Sequence, residues 1–172
     1  MNSEAGERLM HDHAELGDLL NELSAALEAN DAARTHSTLD MFWARLAMHI
    51  RAEHLHLFPA VSRASNSNDQ ILPPDEPENT IAILRDDHDF FMRELSQATA
   101  ITRNAKDNTA EQLREVNKKI AAIRARLVKH NEIEEAGIYL WSNVLLSEAE
   151  RSELASQVQK ELENLPPRFG VV

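Results

Sequence analysis

His49-Ile50-Arg51-Ala52-Glu53 places a glutamate four residues after a histidine, and His130-Asn131-Glu132-Ile133-Glu134 repeats this spacing. On an α-helix four residues turn through roughly 400°, so the histidine and the glutamate of each copy share one face, about 6 Å apart along the axis. A helix face that carries an imidazole and a carboxylate together suits a transition metal. The two copies therefore predict two helices, each with a metal-binding face.

A single histidine stands upstream of each copy, His13 before the first and His88 before the second. With them the pattern offers ligands from four segments of the chain, enough for a two-metal centre. The candidate metal ligands are His13, His49, Glu53, His88, His130 and Glu134.

The composition is that of a helical protein with an acidic surface. A chain of 172 residues fits one domain with a core, and only 4 Gly and 6 Pro interrupt long stretches rich in Ala, Leu, Glu and Arg. The formal net charge of −11 argues against a nucleic-acid or anionic-membrane partner, because phosphate binding needs clustered Lys and Arg. The chain has no Cys, which excludes disulfides, thiolate metal sites and a cysteine nucleophile.

No targeting segment is evident from the residue pattern. The first residues contain no apolar core segment of the kind that a signal peptide requires, and no run of 18 or more apolar residues exists. We therefore expect no membrane span and a cytoplasmic location.

The apolar periodicity predicts four long helices and a short fifth. Their approximate ranges are 4–29, 32–63, 80–104, 109–136 and 148–163. Residues 64–78 form a loop by composition, and Lys106-Asp107-Asn108 forms a short polar turn.

Four residues mark predicted helix boundaries. Asp31 is a candidate N-cap of the second helix, and Pro59 should end or kink that helix near its close. Gly137 is a candidate stop for the fourth helix. Ser147 opens a capping box, so the fifth helix should begin directly after it.

The two halves of the chain form a weak internal repeat, since Asp-His precedes apolar residues at both His13 and His88. Short connections within each half favour antiparallel neighbours, which predicts an all-α, up-down-up-down four-helix bundle. We assign this bundle to residues 1–145 and a C-terminal helix and tail, packed on the bundle, to residues 146–172.

Each piece of the pattern also has an ordinary structural explanation. A single His on an apolar helix face is more often a hydrogen-bonded core residue than a ligand. One His-x-x-x-Glu is commonly an exposed ion pair, worth about 0.3 kcal/mol. Together, however, the six candidates lie on or beside apolar stripes, where burial without partners would be costly. A bound metal would satisfy all of them at once.

The pattern H…HxxxE…H…HxxxE resembles that of the hemerythrin-like HHE family of cation-binding domains, over about residues 8–140. The resemblance implies a four-helix bundle around a non-haem di-iron centre that is carboxylate- and oxo-bridged. It carries the ligand roles to the six candidates and makes Glu53 and Glu134 the bridging carboxylates. Zinc and manganese suit the same ligand types, so the metal itself stays open.

One position departs from the oxygen-carrying members of that family. They have a second histidine one turn after the third-helix histidine, where this chain has Met92. Thioether is a poor ligand for hard iron, and the equivalent place after His13 is Gly17, which offers no ligand. The departure argues against reversible oxygen carriage and favours a centre that reacts with a small oxidant. The ferritin signature Glu-x-x-His occurs once, at Glu53 and His56, without a partner copy.

The other polar and aromatic residues receive weaker predictions. His56 returns to the metal face, where it is an alternative ligand or a hydrogen-bond partner of a ligand. Otherwise it lies at the end of the bundle. His11, His54 and Glu135 turn away from the metal face and should be solvated. Tyr139 and Trp141 are interpreted as packing residues under the last helix. Asp12 and Asp87 are candidates to hold ligand imidazoles by hydrogen bonds.

Three functions remain open from the residues and the resemblance. The first is a di-iron protein that reacts with peroxide, oxygen or nitric oxide in stress or iron handling, with catalytic residues unassigned. The second is a non-catalytic sensor or carrier of oxygen or iron. The third is a helical bundle that holds zinc or no metal. The expected partner is a small oxidant or diatomic ligand, with no nucleic acid and no membrane; the last helix either caps the bundle or forms a homodimer contact.

Overall fold

The structure, a computed structural model, describes residues 3–67, 75–103 and 109–169, and within these ranges it contains helices and no β-strand. The helices are α1 (Glu4–Glu28), α2 (Ala32–Ala52), α3 (Phe58–Asn66), α4 (Glu76–Thr102), α5 (Ala110–Ile133), α6 (Tyr139–Leu145) and α7 (Glu148–Leu162). A single 3-10 turn, Pro167–Phe169, follows α7. The predicted all-α class is confirmed.

Two π turns carry the chain from α2 into α3 and from α5 into α6. They span Glu53–Leu57 and Glu134–Ile138, so each begins at the glutamate of a His-x-x-x-Glu copy. Phe58 N–H donates to the carbonyl of Glu53, and Tyr139 N–H donates to that of Glu134. Because a π turn holds one more residue than an α turn, side chains after it are rotated relative to an uninterrupted α-helix.

The π turns explain two differences from the predicted helix ends. Pro59 does not end the second helical segment, because it lies in the first turn of α3, where a missing N–H is tolerated. The prediction that Gly137 stops the fourth helix is wrong, since the chain stays helical through the π turn to Leu145. A Cβ on Gly137 would lie 3.6 Å from the Trp141 ring, which is ordinary contact.

The predicted caps are confirmed. Asp31 accepts a hydrogen bond from Arg34 N–H at 2.9 Å, and Ser147 forms its capping box. Thr109, which was not predicted as a cap, also forms a capping box. Asn30 makes the turn between α1 and α2 with a φ of 53°, a left-handed conformation that asparagine tolerates.

The predicted connections are described only in part. The predicted loop 64–78 is shorter than expected, because its two ends belong to α3 and α4. Its centre, residues 68–74, and the predicted turn at 106–108 lie outside the described residues.

The core consists of two apolar clusters, one on either side of the candidate ligands along the helices. The first cluster, near α7, includes Leu9, Ala52, Leu57, Phe58, Leu84, Ile138, Tyr139 and Val158. The second, farther from α7, includes Leu16, Leu20, Phe42, Leu46, Phe91, Leu95, Ile123 and Leu127. In α1 and α4 the candidate histidine lies in sequence between members of both clusters, which places the ligands between them.

Helix packing forms one helical bundle with α7 against its side. Helix α1 packs against α2, α4 packs against α5, and α2 also contacts α4. The last helix packs on α1 and α2, where Arg51 Nε donates to Glu161 at 2.6 Å. None of the helices within the described ranges combines the length and the apolar character that crossing a membrane requires.

Candidate metal centre

The six predicted ligands come together in the interior of the bundle. His49, Glu53, His88, His130 and Glu134 are buried, and the side chain of His13 is 7% exposed. The histidines come from α1, α2, α4 and α5, and each glutamate is the first residue of a π turn. Four helices therefore contribute side chains to one polar cluster, which lies between the two apolar clusters.

The histidines form two pairs, which define two sites. In the first site His13 Nε2 lies 3.2 Å from His49 Nε2. In the second site His88 Nε2 lies 3.1 Å from His130 Nε2. Two imidazoles with their Nε2 atoms turned toward each other present two donor atoms to a common point.

The two glutamates lie between the pairs and direct one oxygen to each. Glu53 Oε1 is 3.4 Å from His49 Nε2, and Glu53 Oε2 is 3.3 Å from His88 Nε2. Glu134 Oε2 is 3.2 Å from His13 Nε2, and Glu134 Oε1 is 2.8 Å from His130 Nε2. Each glutamate therefore lies within reach of both histidine pairs.

Carboxylates hold three of the four histidines from behind. Asp12 accepts from His49 Nδ1 at 2.9 Å, and Asp87 accepts from His130 Nδ1 at 3.0 Å, as the sequence suggested. Arg45 in turn donates to Asp12, and Arg126 donates to Asp87. Carboxylate-histidine pairs of this kind fix the tautomer and raise the basicity of a ligand.

The donor chemistry of the cluster fits a metal. His13 and His49 both donate through Nδ1 to carboxylates, so their Nε2 lone pairs point at each other whenever both rings are neutral. Facing lone pairs repel unless a cation or a proton lies between them. Two buried oxygens, Glu53 Oε2 and Glu134 Oε1, have no hydrogen-bond partner of good geometry. A cation bound at each site would satisfy both the nitrogens and the oxygens.

The pKa values of the buried histidines and glutamates are shifted by their contacts with one another. Burial opposes protonation of His88, but the adjacent carboxylates of Glu134 and Glu53 outweigh burial and raise its pKa to about 9. Burial alone would raise the pKa of Glu134, yet the adjacent imidazoles of His13, His130 and His88 hold it well below its usual range. The glutamates therefore stay anionic, and protons on the histidines compete with metal.

Tyr139 and Trp141 pack in the first apolar cluster as predicted, and Tyr139 in addition belongs to the centre, which was not predicted. Its hydroxyl donates to Glu53 Oε1 at 3.0 Å and lies 3.2 Å from His13 Nε2 and 3.3 Å from Glu134 Oε2. All three atoms belong to the first site. Burial, reinforced by the two glutamates, raises the pKa of Tyr139 well above its usual value, so the phenol keeps its proton.

Two residues predicted to be solvated in fact contact ligands. His54 Nε2 lies 2.8 Å from His88 Nδ1, and Glu135 accepts from His13 Nδ1 at 3.1 Å. Each directly follows one of the two central glutamates, Glu53 and Glu134, in the sequence. The exposed fraction of the Glu135 side chain is 38%, so this carboxylate has one side in water.

The other residues singled out in the sequence lie outside the cluster of candidate ligands. His56 lies toward Glu161 of α7, with 3.9 Å between Nε2 and a carboxylate oxygen, and belongs to the bundle end. His11 is exposed as predicted. Met92 is half-buried and packs against the second apolar cluster, and a Cβ on Gly17 would meet no atom within 4 Å.

Ligand atoms of the cluster lie close enough for metal binding. One group joins Glu53, His88, His130 and Glu134, and another joins His13, His49 and Glu134. Within each group the candidate ligand atoms all lie within 4.8 Å of one another. Such a set can hold transition metals and bring them near each other.

Comparison with known proteins gives one match. The family model described as the hemerythrin HHE cation binding domain matches residues 5–142, which covers most of the bundle and all six candidate ligands. No curated protein and no solved structure matches the chain significantly. The chain belongs to the hemerythrin HHE cation-binding family.

Proposed function

We propose that this chain is a di-iron protein that reacts with a small oxidant, namely peroxide, oxygen or nitric oxide. The observation that carries the proposal is the placement of Glu53 and Glu134, each with one oxygen toward each histidine pair. His13 and His49 would hold one iron, and His88 and His130 the other, with the two glutamates shared. Two iron ions held in this way would pass electrons to a small oxidant, taken either from a second peroxide, which is oxidised to oxygen, or from an external reductant.

The protein residues around the centre restrict what can reach it. A cavity of about 10 Å³ lies beside His13, His49 and His130, walled by Leu16, Leu46, Leu127 and Asn131. This is the space of about one water molecule. The leucine side chains exclude bulk water, and the size favours a diatomic molecule or a peroxide over an organic substrate.

Tyr139 is the proton donor that we assign to the reaction. Its hydroxyl touches both central glutamates, and burial with these glutamates raises its pKa, so the phenol is protonated when the oxidant arrives and gives its proton only to a more basic oxygen, such as the hydroxide formed when peroxide is reduced. Reduction of an oxidant consumes protons, and a buried phenol next to the ligands can deliver one without opening the site to solvent.

The architecture that we propose around this centre is an up-down-up-down bundle. The packing of α1 on α2 and of α4 on α5 supports it, because short connections favour antiparallel neighbours. A small oxidant as the partner and a C-terminal unit at residues 146–172 belong to the same proposal.

The test of the function is the metal content of protein purified in air, together with its optical spectrum and its reaction with peroxide. We expect about two irons per chain, near-ultraviolet bands of a bridged di-iron centre and oxygen release on peroxide addition. Two irons without turnover would favour a sensor or carrier. A colourless protein with zinc, or one without metal, would contradict the di-iron assignment.

Tyr139→Phe should keep the iron and slow the reaction with peroxide by about a hundredfold, the lower range of general-acid contributions. The substitution removes only the hydroxyl, so the ring still fills its place in the apolar core. Stopped-flow absorption after peroxide addition measures the rate, and iron analysis provides the control. An unchanged rate at full iron content would remove Tyr139 from the mechanism.

A further inference from the structure

The two histidine pairs are arranged alike, and the residues behind one histidine of each pair are also matched. His49 and His130 each donate to an aspartate, and each aspartate accepts from an arginine. The arginines contact one further carboxylate each, Glu15 in the first half and Asp86 in the second. These matched contacts cannot make one site bind metal more tightly than the other.

The residue after each central glutamate breaks this symmetry. Glu135 accepts from His13 Nδ1, whereas the corresponding residue, His54, lies against His88 Nδ1. Both histidines of the first site therefore have carboxylates behind them, Asp12 and Glu135. The second site has one carboxylate, Asp87, and one imidazole, which carries no negative charge at any pH.

A second difference between the sites is the residue after each π turn. Tyr139 places its hydroxyl among the ligand atoms of the first site, at 3.0–3.3 Å. The corresponding residue after the other π turn is Phe58, whose ring stacks on His88 with centroids 6.1 Å apart. The Tyr139 hydroxyl donates to glutamate oxygens of the first site and adds no negative charge there, so the difference in charge between the sites lies in Glu135 and His54.

We propose that Glu135 and His54 make the two metal sites unequal, so that the site of His13 and His49 binds a divalent ion more tightly. This inference rests on the proposed function, because it needs the two metal sites. A carboxylate behind a ligand imidazole makes that ligand more basic, and its loss typically costs 10–100-fold in metal affinity. An imidazole partner offers the hydrogen-bonding atom without the charge.

Titration of metal-free protein with Co²⁺, followed by calorimetry and by the visible cobalt bands, tests the inference. Wild type should bind in two steps whose dissociation constants differ by about tenfold or more. His13→Ala should remove the tighter step, and His88→Ala the weaker one. Cobalt binding in one step with two equal sites would overturn the inference and leave the two-metal centre intact.

Two substitutions that change charge at matched positions assign the effect to its residues. Glu135→Gln keeps an acceptor for His13 Nδ1 and should weaken the tighter step by about tenfold. His54→Glu places a carboxylate behind His88 and should strengthen the weaker step, while His54→Gln should leave both steps nearly unchanged. Glu132→Gln, at an exposed position on α5, controls for the loss of overall charge.

The outcomes separate this inference from the proposed function. If the ratio of the two dissociation constants in Glu135→Gln and in His54→Glu stays the same as in wild type, the role of these residues is overturned. A protein that binds no cobalt would overturn the metal centre itself, and the inference with it.

Discussion

Replacement of Glu134 with Ala should reduce the iron content from about two ions per chain to about one or fewer, while the far-ultraviolet circular dichroism stays helical. Glu134 is fully buried, and its two oxygens lie 3.2 Å from His13 Nε2 and 2.8 Å from His130 Nε2, one in each site. Removal of this side chain therefore takes one ligand from both sites. Metal analysis of protein purified with excess iron measures the result.

Four further variants make this expectation specific. Glu53→Ala and His130→Ala should each lose about one iron per chain, because Glu53 shares the bridging position and His130 belongs to one site. Glu134→Gln keeps the volume of the side chain, in case the cavity left by Ala prevents folding. Glu132→Ala, at an exposed position of α5, should keep full iron content. Unchanged iron in both Glu53→Ala and Glu134→Ala would reject the ligand assignment.

The approach of the six candidate ligands to one another could be predicted from the sequence because the histidines lie on α-helices with regular phase. His49 and Glu53 are one turn apart in a helix that begins at a predicted cap, Asp31. The apolar stripe on each helix determines which face turns inward, and the candidate ligands lie on that stripe. The aspartates preceding His13 and His88 could also be suggested, although their partners belong to other helices.

The π turns are the reason that Tyr139 was missed. Counted at α-helical spacing, a residue five positions after Glu134 points well away from its face. In a π turn the extra residue brings the fifth position back, so the Tyr139 hydroxyl reaches the glutamates. One signal was present: Pro59 inside a helical pattern suggests a local irregularity, and Phe58 and Tyr139 correspond in the internal repeat.

The contacts of His54 and Glu135 cannot be predicted from the periodicity of their own helices. Each contacts a histidine on another helix, His88 of α4 and His13 of α1 respectively. The periodicity of one segment reports the direction of a side chain but not which neighbour lies there. Such contacts depend on helix packing, which a single sequence does not specify.

Removal of the metal should lower the melting temperature by about 10 °C. A metal present at about a thousand times its dissociation constant stabilises the folded state by about 4 kcal/mol. In a domain of this size each kcal/mol shifts the melting temperature by about 2–4 °C. Thermal unfolding followed by circular dichroism, with and without a chelator and after iron is added back, measures the shift. Glu134→Ala, with fewer ligands, should show a smaller shift.

This experiment also distinguishes a metal centre from a polar core that satisfies itself. Without metal, the paired Nε2 atoms of each site need a shared proton. Against the effect of burial, Glu53 and Asp12 raise the pKa of His49, and Glu134 and Glu53 raise that of His88, which favours such a proton. Protons of this kind leave Glu53 Oε2 and Glu134 Oε1 without partners of good geometry, which costs stability. If the chelated and metal-loaded proteins melt together, the histidines and glutamates satisfy one another, and the cluster is a structural core. A lower melting temperature that iron restores means that the folded protein depends on the ion that these six residues hold.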